Sequence, residues 1–268
     1  LKRVFRVKAD GGLDTTFNDT LSGELATATS SAGLSGSVIT VVWDGSGYVI
    51  GGFFIDGPGT GAGLKRVFRV KADGGLDTTF NNTLSGELAT ATSDAGLDTV
   101  VASVVWDGSG YVIGGAFSNG PGTGAGNKRV FRVGNDGELD TAFNNTLSGE
   151  LATATSSAGL NNGVASVVWD GSGYVIGGAF SNGPGTGAGN KRVFRVGNDG
   201  ALDTAFNDTL SGALATATSS AGLDDGVTSV VWDGSGYVIG GAFVNGPGTG
   251  AGNKSVFRVK VDGGLDTT

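Results

Sequence analysis

The sequence lacks cysteine, histidine and methionine altogether among its 268 residues. Without cysteine, a protein has neither a disulfide framework nor a thiolate metal site. Without histidine, a serine or cysteine triad lacks its usual base, and transition metals lack their commonest ligand. We therefore expect no hydrolase, no zinc centre and no enzyme.

Long apolar runs and an excess of positive charge are missing as well. The sequence holds no apolar run of about 18 residues, the length that predicts a membrane span. Its net charge of −8 gives no attraction for nucleic acid or an anionic membrane, so neither is an expected partner. Proline contributes 4 residues and glycine 53, and 38% of the residues are hydrophobic, which is typical of a turn-rich β protein.

The sequence does contain one unit that is written four times. The stretch VVWDGSGYVIGG occurs at 41–52, 104–115, 167–178 and 230–241, and its tryptophans are 63 residues apart. Such spacing indicates a tandem array. We expect a single array over 1–268, with units of about 1–63, 64–126, 127–189 and 190–252, and with 253–268 as the start of a fifth.

The repeated stretch predicts a tight β-hairpin. Val41–Trp43 and Tyr48–Ile50 are β-formers, and Asp44–Gly47 between them has the composition of a short turn. Both strands are apolar on both faces, so neighbouring sheets must cover them, and Gly51 removes a side chain where the next layer approaches. The predicted fold is all-β and propeller-like, with four blades or an arc of a longer array; a β-solenoid is the alternative.

The other segments of the unit predict further extended chain. KRVFRV at 2–7 alternates as a strand does, and Leu13–Phe17 is predicted as a short outer strand. Residues 18–37 are rich in small and hydroxyl side chains. Leu21 and Leu25 have the i,i+4 spacing of a helical turn, but Thr27 and Thr29 favour extended chain, so a packed loop with a short strand is predicted. Asn18 begins an N-x-Thr sequon that recurs in every unit, at Asn81, Asn144 and Asn207, and it is either a glycan acceptor or an ordinary polar turn.

Two kinds of ligand are weighed on the residues. Tryptophans stack on sugar rings in lectins, so Trp43, Trp106, Trp169 and Trp232 are candidate sugar-stacking residues, although such a flanked aromatic more often lies in a core. Aspartate, asparagine and backbone carbonyls in glycine-rich turns suit calcium, yet no EF-hand loop or nonapeptide β-roll spacing is present. We expect no cofactor, and calcium stays open.

Three stretches of the unit resemble a known family. The segment from Arg6 to Asn18, the pair Asp44-Gly45 and the segment from Tyr48 to Phe53 look like the delta-60 repeats of bacterial surface and secreted proteins. The resemblance extends through the whole chain, apart from the Trp-Asp pair and the long Ala/Thr/Ser segment. It implies β-propeller blades and an extracellular or cell-surface setting.

The end segments suggest how the chain acts. Residues 253–268 repeat 1–16, so the array has five KRVFRV-type segments for four hairpins. Because an unpaired strand edge seeks a partner, one end segment either continues into further repeats of a longer polypeptide or completes a neighbouring subunit. The candidate assembly strands contain Val4, Phe5, Val7, Val256, Phe257 and Val259.

Two functions are predicted from these features. The first is a non-catalytic structural protein of an extracellular fibre, sheath or surface layer, whose partners are further copies of itself. The alternative is a lectin-like propeller with one equivalent glycan site per repeat.

Overall fold

The computed structural model describes residues 3–30, 32–61, 63–124, 126–187, 189–249 and 252–267. These residues form four helices and twelve strands. The helices are α1 (Thr15–Ala28), α2 (Thr78–Ala91), α3 (Thr141–Ala154) and α4 (Thr204–Ala217). The strands are β1 (Ser37–Trp43), β2 (Gly47–Phe53), β3 (Val67–Lys71), β4 (Val101–Trp106), β5 (Gly110–Gly115), β6 (Val130–Gly134), β7 (Val164–Trp169), β8 (Gly173–Gly178), β9 (Val193–Gly197), β10 (Val227–Trp232), β11 (Gly236–Gly241) and β12 (Val256–Lys260).

The strands make four three-stranded antiparallel sheets, one for each repeat, in the orders β1-β2-β3, β4-β5-β6, β7-β8-β9 and β10-β11-β12. We number these sheets one to four. The first two strands of each are the predicted hairpin. In sheet one Trp43 lies opposite Tyr48, and the Asp44 carboxylate accepts hydrogen bonds from the backbone N–H groups of Ser46 (2.7 Å) and Gly47 (2.8 Å). The hairpin and the tandem organisation are confirmed.

The third strand of each sheet comes from the unit that follows in the sequence. Strand β3 belongs to the KRVFRV segment of the second repeat, and β12 belongs to the fifth such segment. Each sheet is open, because its first and third strands pair with the middle strand alone.

Each repeat also contains a helix, in the segment that was predicted as a short outer strand and a packed loop. Asp14 caps α1 by accepting a hydrogen bond from the Phe17 N–H at 3.2 Å, and Phe17, Leu21 and Leu25 are buried along one helical face. The spacing of four between these apolar residues therefore outweighs the β propensity of the threonines. The predicted outer strand at Leu13–Phe17 reduces to one bridge between Val7 and Leu13.

The threonines that argued for extended chain instead support the helix end. The Thr29 hydroxyl donates to the Leu25 carbonyl at 2.8 Å and accepts from the Gly33 N–H at 2.7 Å. Thr27 donates to the carbonyl of Glu24 at 3.0 Å in the same manner. Local hydroxyl-to-backbone bonds of this kind satisfy groups that a helix terminus leaves free.

The sequon asparagines are structural residues. Asn81 is buried in α2; its side-chain oxygen accepts from the Arg69 N–H at 2.7 Å, and its amide donates to the Arg69 carbonyl at 3.0 Å. Asn207 makes the same pair of bonds to Arg195. Because the Asn81 amide nitrogen is buried and donates to the backbone carbonyl of Arg69 in β3, a glycan at Asn81 is incompatible with the folded chain.

The structure divides into two compact units. The first comprises Leu1–Ile113, Phe117–Pro121 and Arg132–Asp140, and the second comprises Gly114–Ala116, Gly122–Phe131 and Thr141–Thr268. Within the first unit, β4 packs against β1 and β2, and α2 packs against β3. Within the second, β10 packs against β7 and β8, and α4 packs against β9. Sheets therefore stack face to face inside each unit, as the two-sided apolar hairpin predicted.

Candidate assembly site

Two unlike sheet faces meet wherever sheets stack. We call the side of a sheet on which Gly51 or its equivalent lies the glycine face, and the opposite side, which carries Val38 and Val41 or their equivalents, the valine face. A Cβ atom built on Gly51 would lie 2.5 Å from Val101 Cγ1 of the next sheet, and one on Gly177 would lie 2.6 Å from Val227 Cγ1. No side chain fits in that space, so glycine is what allows the close approach.

An arginine cluster ties sheet one to the sheet stacked on it. We use this name for Arg69 together with Asp44, Ser46, Asp77 and Tyr111. Arg69 Nε donates to the Asp44 carboxylate at 2.8 Å, and its Nη2 donates to the Ser46 hydroxyl at 2.7 Å. Arg69 also forms an ion pair with the helix-capping Asp77, and the Tyr111 hydroxyl of β5 donates to Asp44. One guanidinium thus links a hairpin turn, a helix start and the next sheet.

The charges of this cluster are buried. The side chains of Arg69 and Asp44 are 10% and 2% exposed. Burial acts to raise the pKa of Asp44, but hydrogen bonds from Tyr111, Ser46 and Arg69 outweigh burial and hold the pKa at about 2. The pKa of Tyr111 is raised, first by burial and then by its bond to Asp44. Asp44 is therefore ionised and Tyr111 neutral across the physiological range, so the cluster joins the two sheets through a charge-assisted hydrogen bond.

The second compact unit contains the same arrangement. Arg195 donates to Asp170 at 2.9 Å and to Asp203 at 2.6 Å, and the Tyr237 hydroxyl of β11 donates to Asp170. Sequence reasoning missed these clusters, although arginine, aspartate and tyrosine recur at the common spacing. Their meeting depends on the stacking of one sheet on the next, which a linear pattern does not show.

A second arginine connects the third strands β3 and β9 to their own repeats. Arg66 is buried, and its guanidinium donates to the carbonyls of Leu97 at 2.7 Å and Asp98 at 2.9 Å. Arg192 bonds the carbonyl of Leu223 at 2.9 Å in the same way. The fifth KRVFRV-type segment carries Ser255 at this position, so β12 lacks the bond.

Sheet one presents its valine face to solvent. Val41 is 49% exposed, whereas its equivalents Val104, Val167 and Val230 are 6–7% exposed. Ile39 and Trp43 on the same strand are exposed as well. The residues are those of a stacking face, but no sheet covers them in the described chain.

Sheet four presents its glycine face to solvent. A Cβ on Gly240 would find its nearest neighbour, Val256 Cγ2, at 3.8 Å, which is ordinary van der Waals contact. Val256 is 63% exposed, whereas its equivalent Val193 is 4% exposed. Among the described residues, every exposed large hydrophobic side chain lies in 5–55 or 231–261. Within the described residues, the exposed large hydrophobic side chains are thus confined to these two segments, as at interaction surfaces.

The predicted assembly strands differ between the two ends. Val256, Phe257 and Val259 form part of β12, where Phe257 and Val259 are buried. At the other end, the predicted strand 2–7 is absent from the described residues 3–6, and Val7 makes only the bridge to Leu13; Lys2 lies outside the described residues. None of the hairpins among the described residues pairs with residues 4–6.

The segment 4–6 lies beside a groove of sheet one. Phe5 is 67% exposed, and Val4, Phe5 and Arg6 line a groove of about 230 Å³ together with Phe17, Val41, Tyr48 and Ile50. The equivalents of Phe5 in the four paired strands are all buried: Phe68, Phe131, Phe194 and Phe257.

The four tryptophans pack on tyrosines of the same hairpin. The ring centroids of Trp43 and Tyr48 are 4.7 Å apart, and the other three pairs lie at 4.7–4.9 Å. Trp43 is 47% exposed, and Trp106, Trp169 and Trp232 are half-buried. Each indole is therefore held on one side by a tyrosine.

The described part of the chain contains no group of three or more side chains that would hold a metal ion. None of the helices in the described ranges has both the length and the apolar character needed to cross a membrane.

The fold and the stacking faces define a class: a tandem-repeat protein of helix-bearing, three-stranded units. Comparison with protein-family models and with curated proteins gave no match, so the resemblance to delta-60 repeats stays a prediction.

Proposed function

We propose that this chain is a non-catalytic structural repeat protein of an extracellular fibre, sheath or surface layer, and that it assembles through repeat–repeat contacts and its end segments. The observation that carries the proposal is the exposure of two complementary stacking faces, the valine face of sheet one and the glycine face of sheet four. An array of blades that continues from copy to copy follows from these faces. The extracellular setting rests on the family resemblance and on the absence of cysteine, methionine and histidine.

We expect the purified wild-type chain to form ordered assemblies that grow with concentration. Sedimentation velocity would show species heavier than the 26.4 kDa monomer, and negative-stain electron microscopy would show regular fibres or sheets. A single 26.4 kDa species at every concentration would overturn the proposal.

A glycan-binding role is the second proposal, and the partial exposure of the four indoles favours it. Each Trp–Tyr pair stands beside the Asp-Gly-Ser-Gly turn of its hairpin, and Trp43 leaves 47% of its surface exposed. We expect tryptophan fluorescence to shift on titration with an oligosaccharide that binds, and Trp106→Ala to reduce the number of sites by one. A glycan array without any binding would remove this role.

A further inference from the structure

The partner of the exposed valine face is set by what covers the same face elsewhere in the chain. Val101 lies under the glycine face of sheet one, and Val227 lies under that of sheet three. In both places a hairpin covers the valine face, and the second strand of that hairpin carries the glycine, Gly51 or Gly177, that faces the valine. The one such face that is open among the described residues is that of sheet four, where nothing lies closer to a Gly240 Cβ than 3.8 Å.

We propose that the β10–β11 hairpin of a second copy of this chain seats its glycine face on sheet one, and that residues 4–8 pair with β11 of that copy in place of β12. The inference rests on the proposed structural function and names its partner and interface. It makes the assembly a head-to-tail polymer in which the contact between copies repeats the contact between repeats.

The strand exchange is supported by sequence identity. Residues 4–8 and 256–260 both read VFRVK, and in the chain itself Phe257 lies opposite Ile239 of β11. Phe5 of one copy would take that place, so every ladder bond lost by β12 is regained by an identical residue. Five paired positions are exchanged for five, and the exposed Phe5 becomes buried.

The difference between the two segments favours the exchange. Arg3 stands at the position of Arg66, whose guanidinium bonds two carbonyls of its own repeat, whereas β12 has Ser255 there. The equivalent carbonyls for Arg3 are those of Leu34 and Ser35. The segment 3–8 therefore brings a connection that β12 cannot make, and it continues directly into α1.

Polar groups at the two ends are complementary as well. In the stacked repeats a tyrosine hydroxyl donates to the turn aspartate of the preceding sheet, as Tyr111 does to Asp44. Asp233 is bonded by Arg258 and Ser235, but no tyrosine reaches it within the described chain. Tyr48 of the neighbouring copy would complete this cluster.

Gly240→Val tests the proposed face. In the isolated chain the valine has room, and β propensity favours it, so thermal unfolding should match the wild type. In the docked arrangement its side chain would overlap Val38 of the second copy, as a Cβ at Gly51 overlaps Val101. Sedimentation velocity should show at least a tenfold weaker association. Gly212→Ala, on an exposed helix position with open space around it, is the matched control and should assemble as the wild type does.

Phe5→Asp tests the strand exchange. Because Phe5 is exposed in the single chain, the variant should fold normally and yet remain monomeric. If the wild type assembles and either Gly240→Val or Phe5→Asp assembles equally well, this interface is wrong while the structural function stands. If the wild type itself stays monomeric, the structural function fails as well.

Discussion

Replacing Arg69 by alanine is expected to lower the free energy of unfolding by about 3–5 kcal/mol, the range measured when one partner of a buried ion pair is removed. The change leaves the Asp44 carboxylate, 2% exposed, without its counter-ion, and removes the link to Asp77 and Ser46. Urea unfolding followed by tryptophan fluorescence would measure the loss.

Arg6→Ala, measured at a dilution at which the chain is monomeric, is the matched control for this prediction. Arg6 occupies the equivalent position in the first repeat, but its side chain is 34% exposed and its ion pair is with Asp14 alone. Exposed pairs contribute about 0–1 kcal/mol, so the control should lose little stability. Equal losses in the two variants would show that burial does not decide the contribution of this arginine.

The same arginine cluster should make the folded chain less stable in acid. The pKa of Asp44 is about 2 in the folded chain, below its ordinary value of 3.8. A carboxyl whose pKa is lowered by folding contributes stability that is complete above the unfolded pKa and is lost as pH falls through the folded value. Wild-type stability should therefore decrease between about pH 4 and pH 2, and Asp44→Asn should flatten this part of the profile.

Gly177→Val is expected to destabilise the chain by about 3 kcal/mol, because the added side chain overfills a closely packed interface. A Cβ at this position would lie 2.6 Å from Val227 Cγ1 and 3.0 Å from Val230 Cγ2, so sheets three and four must separate or distort. Differential scanning calorimetry would show the lowered transition temperature.

Gly240→Val places the same substitution on the same strand position one repeat later. Its surroundings are open in the single chain, so at a dilution at which the wild type is monomeric its transition temperature should equal that of the wild type. A similar loss in both variants would mean that glycine is needed for the strand itself and not for sheet stacking.

The hairpin and its stacking were accessible from the sequence because both depend on local pattern. Asp44–Gly47 is a turn by composition, and strands with two apolar faces need cover on both sides. The glycine at position 51 was correctly expected to mark close approach. The helix was not predicted, because the threonines favour extended chain. The helical spacing of Phe17, Leu21 and Leu25 is weak evidence in the sequence alone, since most of the helix stability comes from packing of these residues in the folded chain.

The sequence by itself determined the period, the turn chemistry and the alternation of apolar residues, since these are properties of neighbouring residues. Only the tertiary structure decided that Asp44, Arg69 and Tyr111, which are far apart in the chain, form one buried cluster. It also decided that identical valines are buried in some sheets and exposed in sheet one. The reason is physical: burial and charge pairing depend on which sheet lies opposite, and near-identical repeats differ only in their neighbours.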